Sequence, residues 1–268
     1  MEKLIFNSSM PRAGSELLQV ILHQNPRIYA SSTSPLLEYQ FGARGNYQLP
    51  EVKSQDPALM QQAFIGMCRG MAESYYGAIT DRPIICDKNR GWSHYYEWVE
   101  QWNAEPKMIC MVRDLRSILG SMERVYRKTR HMPVGPDNPA ELAGMTVGQR
   151  VNHWLSIQPI GLALQRTADA INRKLPILYV RYEDLTTDPK NTMEGIYKFL
   201  GEKSFEHDFD NLTKEVIEDC SHFGPYGDHN VKSKITPFKP SDWEDVIPKD
   251  IAAAVRQNNA WYFDTFGY

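Results

Sequence analysis

An α/β fold with a doubly wound, mostly parallel sheet flanked by helices is what this chain predicts, and three observations point to it. Four short apolar runs, residues 4–6, 83–86, 107–112 and 176–180, have the unbroken hydrophobicity of strands covered on both faces. Stretches with helical periodicity separate them, as βα units require. The first run leads through a Pro/Gly/Ser turn straight into an amphipathic helix, which is a unit suited to holding an anion. With 268 residues, residues 1–268 read as a single domain of the P-loop nucleotide-binding type.

Taken in order, the first strand and turn precede a helix over residues 17–24. A long helix is expected over about 57–79 and a shorter one over 95–102. Others are expected over 117–128, 147–174, 189–201, 212–219 and 248–266. Residues 31–54 and 222–242 show no regular pattern, and irregular stretches of that length in a compact domain are commonly functional. In such sheets the ligand sits at the carboxyl ends of the strands.

Composition narrows the function. A net charge of −3 lacks the basic excess of a nucleic-acid binder. No apolar run approaches the roughly 20 residues that span a bilayer, and no secretory leader is evident, so a cytoplasmic protein is expected. Cys68, Cys86, Cys110 and Cys220 lack paired spacing and read as buried, reduced, structural thiols rather than metal ligands.

The chemistry concentrates first in Asn7-Ser8-Ser9-Met10-Pro11-Arg12-Ala13-Gly14-Ser15-Glu16-Leu17. A nucleoside-triphosphate P-loop carries a Lys after its second Gly, followed by a Ser/Thr for Mg²⁺. Here Gly14 keeps that Gly's position, Ser15 replaces the Lys, Glu16 replaces the hydroxyl, and the cation has moved upstream to Arg12. Such a loop suits a metal-free 5′-phosphate group better than a Mg²⁺-bound triphosphate. In the second motif a strand ends at Arg113, and Ser121 follows one turn into the next helix. Both can converge on one anion; the plainer reading pairs Arg113 with Asp114 or a neighbouring carboxylate and leaves Ser121 to pack. In the third, Arg181-Tyr182-Glu183-Asp184-Leu185 follows a strand, and its acidic pair reads as structural.

Together these residues resemble the sulfotransferases that use 3′-phosphoadenosine 5′-phosphosulfate (PAPS). Met10 to Ser15 is similar to their 5′-phosphosulfate loop. Val112-Arg113-Asp114 with Ser121 resembles their 3′-phosphate site, the Arg-to-Ser spacing of eight included. Cys86-Asp87-Lys88-Asn89 resembles the strand end whose Lys approaches the sulfuryl group in the tyrosylprotein branch. Residues 231–243 are similar to a basic loop that closes over the nucleotide. The resemblance implies sulfuryl transfer from PAPS to a hydroxyl or amine without a metal. Arg12, Ala13, Gly14, Ser15, Glu16, Leu17 and Lys88 would hold the 5′ end, Arg113 and Ser121 the 3′-phosphate, and Lys232, Ser233 and Lys234 the closing loop.

Two departures stand out. The tyrosylprotein branch has a Glu as base seven residues past a proline corresponding to Pro26, where this chain has Thr33. Glu38, His94 and His229 are the remaining candidates, with Glu38 taken as the catalytic one; a chain with no base at all would bind PAPS without catalysis. Glu16 replaces the usual Thr and is expected to turn outward and cap its helix. The aromatics between Trp92 and Trp102 read as core, with a purine-stacking role for Trp92 kept open. Arg124, Arg127, Lys128 and Arg130 read as a solvated helix face. Residues 31–54 and 131–146 are expected to shape the acceptor pocket for a small molecule, lipid head group or peptide. A small-metabolite P-loop kinase is the remaining enzymatic alternative, disfavoured by the missing Lys.

Overall fold

The computed structural model describes residues 1–131, 139–216, 218–220, 222 and 229–268. Five strands form one sheet in the order β2-β3-β1-β4-β5: β1 (Lys3–Asn7), β2 (Ile28–Thr33), β3 (Ile84–Lys88), β4 (Lys107–Val112) and β5 (Ile177–Arg181). All four pairings are parallel. Asn7 and Thr33 both lie in register with Lys88, and Val112 with Arg181, so the carboxyl ends of the five strands share one edge. The chain builds β2 and β3 on one side of β1, then β4 and β5 on the other, so the switch point for ligand binding falls beside β1.

The helices are α1 (Ser15–His23), α2 (Leu36–Gly45), α3 (Pro50–Lys53), α4 (Pro57–Gly77), α5 (Tyr96–Trp102), α6 (Leu115–Thr129) and α7 (Pro139–Ala143). They continue with α8 (Val147–Ser156), α9 (Ile160–Asn172), α10 (Tyr182–Thr187), α11 (Pro189–Leu200), α12 (Lys249–Asn258) and α13 (Ala260–Phe266). All four expected strands are present. The fifth, β2, is an edge strand with an irregular register between Ala30 and Thr33, and its Ser31-Ser32-Thr33 end lacks an apolar run.

Three helical expectations need correction. Residues 147–174 form two helices rather than one, parted at Pro159, and the turn is so tight that a Cβ on Gly161 would lie 2.4 Å from the Leu155 carbonyl oxygen. Residues 248–266 likewise divide, at Asn259. Residues 212–219 form no helix among the described residues; the Leu212 N–H bonds to Ser233 O at 2.6 Å, so this backbone pairs with a later segment instead of with itself. The 31–54 stretch is more ordered than expected, carrying α2 and α3. Residues 132–138 of the 131–146 loop and 223–228 of the 222–242 loop lie outside the described residues.

The core is aromatic around β1. Phe6, Trp92 and Trp102 meet edge-on at centroid distances of 4.8–6.2 Å. Trp92 is fully buried and donates Nε1–H to Asp87 at 2.7 Å, while Tyr76 O–H donates to the same carboxylate at 2.6 Å. Trp92 is therefore a core residue, with no face free to stack on a purine. Burial raises the Asp87 carboxyl above its usual range, against these hydrogen bonds. The basic stretch of α6 is likewise not a plain solvated face. Arg127 pairs with fully buried Glu123, which also takes Arg150 of α8 at 2.6 Å, and Arg124 pairs with Asp245.

Candidate active site

The loop after β1 is held by its neighbour strand. Ser8 N–H and Met10 N–H continue onto the Ile109 and Met111 carbonyls of β4, and Ser9 Oγ accepts from Met111 N–H at 2.8 Å. The chain then reverses through left-handed conformations at Arg12 (φ 59°) and Gly14 (φ 88°). Glycine adopts that backbone without strain, and here it also has no room for a side chain, because a Cβ would lie 2.5 Å from Tyr182 Cδ2. Gly14 caps α1 with no side-chain hydrogen bond, and the first helical bond is Leu18 N–H to Gly14 O. The amides of Ser15, Glu16 and Leu17 therefore precede the helical ladder at the positive end of the dipole, which is an anion cradle.

Two arginines close one side. Arg12 donates Nε–H to Ser121 Oγ at 3.1 Å, joining the loop to α6. Arg113, at the end of β4, donates to the Arg12 carbonyl at 3.1 Å and lies 4.5 Å above the Tyr182 ring. Its Nε is buried and has no hydrogen-bond partner among the described residues. Its partner is not Asp114, which caps α6 and takes Arg116, but Asp242, at 2.6 Å. Asp242 also accepts from Ser117 Oγ at 2.5 Å, so a carboxylate from the C-terminal segment sits against the guanidinium. The Glu183 carboxylate is structural, as expected. It accepts from Asp114 N–H and Tyr268 O–H, tying the ends of β4 and β5 together.

Across the cradle, Lys88 at the end of β3 is buried and ion-paired with Glu16. Glu16 does not turn outward as a helix cap. Its side chain is only 11% exposed, with Lys214 Nζ 2.7 Å away on its second oxygen. Two ammonium groups offset the cost of its burial. From Lys214 the chain of charges runs to Glu218 at 3.6 Å and from there to His229 Nδ1 at 2.6 Å, while Thr33 N–H donates to Glu218 at 3.1 Å. Burial alone would raise the Glu218 carboxyl, but the His229 hydrogen bond and the Lys88 charge outweigh it and hold the group well below the usual carboxylate range. Cys220, only partly buried, has its sulfur within 4.8 Å of the Glu218 and His229 ligand atoms. The neighbouring lysines oppose a dication there.

The structure thus brings together Arg12, Ala13, Gly14, Ser15, Glu16, Leu17, Lys88, Arg113 and Ser121. It does not bring Lys232, Ser233 and Lys234 to them. Those three are exposed, and Lys234 pairs with Asp210 at 2.5 Å. The later part of the same loop reaches the site instead, with Phe238 5.9 Å from the Arg113 guanidinium and Asp242 upon it. Glu38 is exposed, its oxygen 3.5 Å from Asn89 Nδ2, and His94 is exposed beside Tyr95. Lys214 and Glu218 belong to no motif and carry no signal in the sequence, and Asp242 lies within the 231–243 stretch without standing out there. They share the site only through long-range contacts.

Solved structures share this fold. The sulfotransferase domain of the olefin synthase from Synechococcus PCC 7002 superposes with a TM-score of 0.61 at 19% identity, over 99% of this chain and 94% of that one. The sulfotransferase domain from the curacin biosynthetic pathway gives 0.61 at 18% identity, over 97% and 98%. Mouse sulfotransferase SULT7A1, solved as a complex with PAP, gives 0.54 at 17% identity, over 98% and 84%. No curated protein sequence matches the chain. A sequence profile described as the sulfotransferase family matches residues 5–207, and on that match the chain belongs to the sulfotransferase family.

Proposed function

We propose that this protein transfers the sulfuryl group of PAPS, in line, to a hydroxyl or amine of a small-molecule, lipid or peptide acceptor, releasing adenosine 3′,5′-bisphosphate (PAP). One observation carries the reading: the open N-terminus of α1, Arg12 with Ser121, and Arg113 with its unpartnered Nε converge at the ends of β1 and β4, facing Lys88 from β3. In-line transfer asks the protein for orientation and for cations around the departing phosphate. The α1 amides, Arg12 and Lys88 supply these at the 5′ end. Arg113 and Ser121 suit the 3′-phosphate, the group that separates this donor from ATP. The PAP bound to the mouse neighbour agrees with such a donor.

Glu16 on Lys88 and Asp242 on Arg113 favour a second reading, a protein that binds PAP weakly and without turnover, since an incoming anion must displace both carboxylates. Calorimetric titration with PAP in Mg²⁺-free buffer, alongside ATP, tests the donor assignment. Micromolar PAP binding that ATP does not match, with PAP released from PAPS in the presence of a panel of phenols, alcohols and amines, is the expected result. PAP binding without any release supports the second reading. No PAP binding overturns both.

A further inference from the structure

Two cations near the carboxyl edge of the sheet stand outside its charge balance. Lys88 and Lys214 hold Glu16, and Arg113 holds Asp242, but Arg90 and Arg166 form no ion pair among the described residues. Arg90 follows Lys88 by two residues, so the two Cα atoms are at most roughly 7.6 Å apart. Its backbone is fixed. Ser8 O–H donates to its carbonyl at 3.0 Å, and a Cβ on the following Gly91 would lie 2.4 Å from Leu37 Cδ2. Arg166 comes from α9, which lies against both the loop after β1 and the single-turn helix Trp92–Tyr95. Thr167 O–H is 3.4 Å from Met10 Sδ, and Arg173 donates to Ser93 O at 3.3 Å. The Arg166 side chain has one hydrogen bond among the described residues, from Nη1 to the Arg90 carbonyl at 3.5 Å, and its Nε is buried with no partner. The carboxylates that act on these arginines, Glu218 on Arg90 and Glu38 on Arg166, do so from beyond ion-pair distance. Lost hydration, then the charges of Arg12 and Arg166, lower the Arg90 pKa, although part of its side chain stays open to water. Such a guanidinium lines a cleft and not a convex surface.

The strand order separates this pair from the donor's groups. β3 and β4 flank β1 on opposite sides; Arg113 and Ser121 belong to the β4 side, and Arg90, with Arg166 upon it, to the β3 side. Resting on the sulfotransferase reading, the donor's 3′-phosphate falls to Arg113 and Ser121, and its 5′ end to the α1 amides, Arg12 and Lys88. An anion on the β3 side is then carried by the other substrate. We propose that Arg90 and Arg166 form an acceptor subsite for an anionic group, a carboxylate or a phosphate, on the molecule whose hydroxyl or amine is sulfated. Guanidinium groups suit that ligand because their planar N–H donors match paired oxygens. A neutral acceptor would leave the two like charges facing each other without a counterion and the Arg166 Nε–H without an acceptor. An anion fixed there also orients the acceptor beside Lys88, as in-line transfer requires.

The test is calorimetric binding of matched probes to the protein saturated with PAP. The probes are 3-(4-hydroxyphenyl)propanoate, its amide and tyramine, together with 6-hydroxyhexanoate, its amide, 6-hydroxyhexyl phosphate and 6-aminohexan-1-ol. Wild type is compared with Arg90→Gln, Arg166→Gln and Arg166→Glu. At least one anionic probe is expected to bind about 10-fold or more tighter than its neutral match, the scale of a charge-assisted bond. The 6-hydroxyhexanoate and phosphate arms tell a carboxylate site from a phosphate site. Each Gln variant should cut the preference to about threefold or less, and Arg166→Glu should shift it to the amines, with PAP affinity within about threefold of wild type throughout. A merely structural role would not reverse the sign of the preferred charge. Equal binding of anionic and neutral probes, or a preference that survives both Gln substitutions, overturns the proposal. So does loss of PAP affinity in both Gln variants at an unchanged Tm, which would put the arginines on the donor. Failure of wild type itself to bind PAP would instead sink the sulfotransferase reading.

Discussion

The two halves of this site are built by opposite means. Its N-terminal half, the loop after β1 with α1 and the β4–α6 junction, consists of strand–turn–helix units in which neighbours in sequence are neighbours in space. Its C-terminal half, residues 212–242, has no α-helix or strand among the described residues and is held to the first by ion pairs from Lys214 to Glu16 and from Asp242 to Arg113, with Glu218 and His229 paired within it. The first half presents cations and amides to an anion. The second half supplies the Asp242 carboxylate that pairs with Arg113 and the Lys214 ammonium that pairs with Glu16. A site can thus have a preformed anion cradle and still keep its charges neutralised.

That contrast can be broken from either side. The largest effect is expected at Gly14. Gly14→Val forces a β-branched residue into φ 88° and into Tyr182, a backbone cost of about 1–3 kcal/mol before the clash, and should abolish PAP binding and lower the Tm by several degrees. Arg113→Ala comes next. A charge-assisted bond is worth about 1.5–3 kcal/mol, so PAP affinity should fall by roughly 10- to 150-fold by calorimetry, with ATP binding little changed. In the C-terminal half the sign reverses. Asp242→Asn removes the carboxylate that competes for Arg113, and PAP should bind about fivefold tighter, a gain of about 1 kcal/mol expected of a partly exposed pair. Unchanged or weaker binding would show that Asp242 supports the site instead of competing for it.

The smallest effect is one of stability against pH. Glu218 has a depressed pKa in the folded state, so its contribution is fully present above the unfolded value, about 4.3, and is lost as pH falls toward the folded one. The stability difference between wild type and Glu218→Gln should be constant above about pH 5 and shrink below it, read by denaturant titration at successive pH values. A difference that grows on acidification would contradict the ionised Glu218.

The same contrast explains what was legible in the sequence. Arg12, Gly14, Lys88, Arg113 and Ser121 stand out because each ends or follows an apolar strand, and the sheet brings those ends to one edge. β2 was hidden because its last three residues are small and polar, as an edge strand tolerates. The helix expected at 212–219 fails for a related reason. Two of its charged residues, which periodicity would turn to solvent, are drawn inward, Lys214 to Glu16 and Glu218 to His229, while Glu215 stays exposed and reaches His23 at 3.2 Å. Glu16 turns inward, against the helix-cap expectation, because its two ammonium partners come from residues 72 and 198 positions away. No local pattern encodes partners at that distance.

The most direct measurement is a crystal structure of the protein with PAP. The account predicts the 5′-phosphate on the amides of Ser15, Glu16 and Leu17 with Arg12 and Lys88 beside it, the 3′-phosphate within hydrogen-bond distance of Arg113 and Ser121, and Asp242 moved off the guanidinium. PAP bound elsewhere, or its 3′-phosphate away from Arg113 with the Asp242 pair intact, would contradict it.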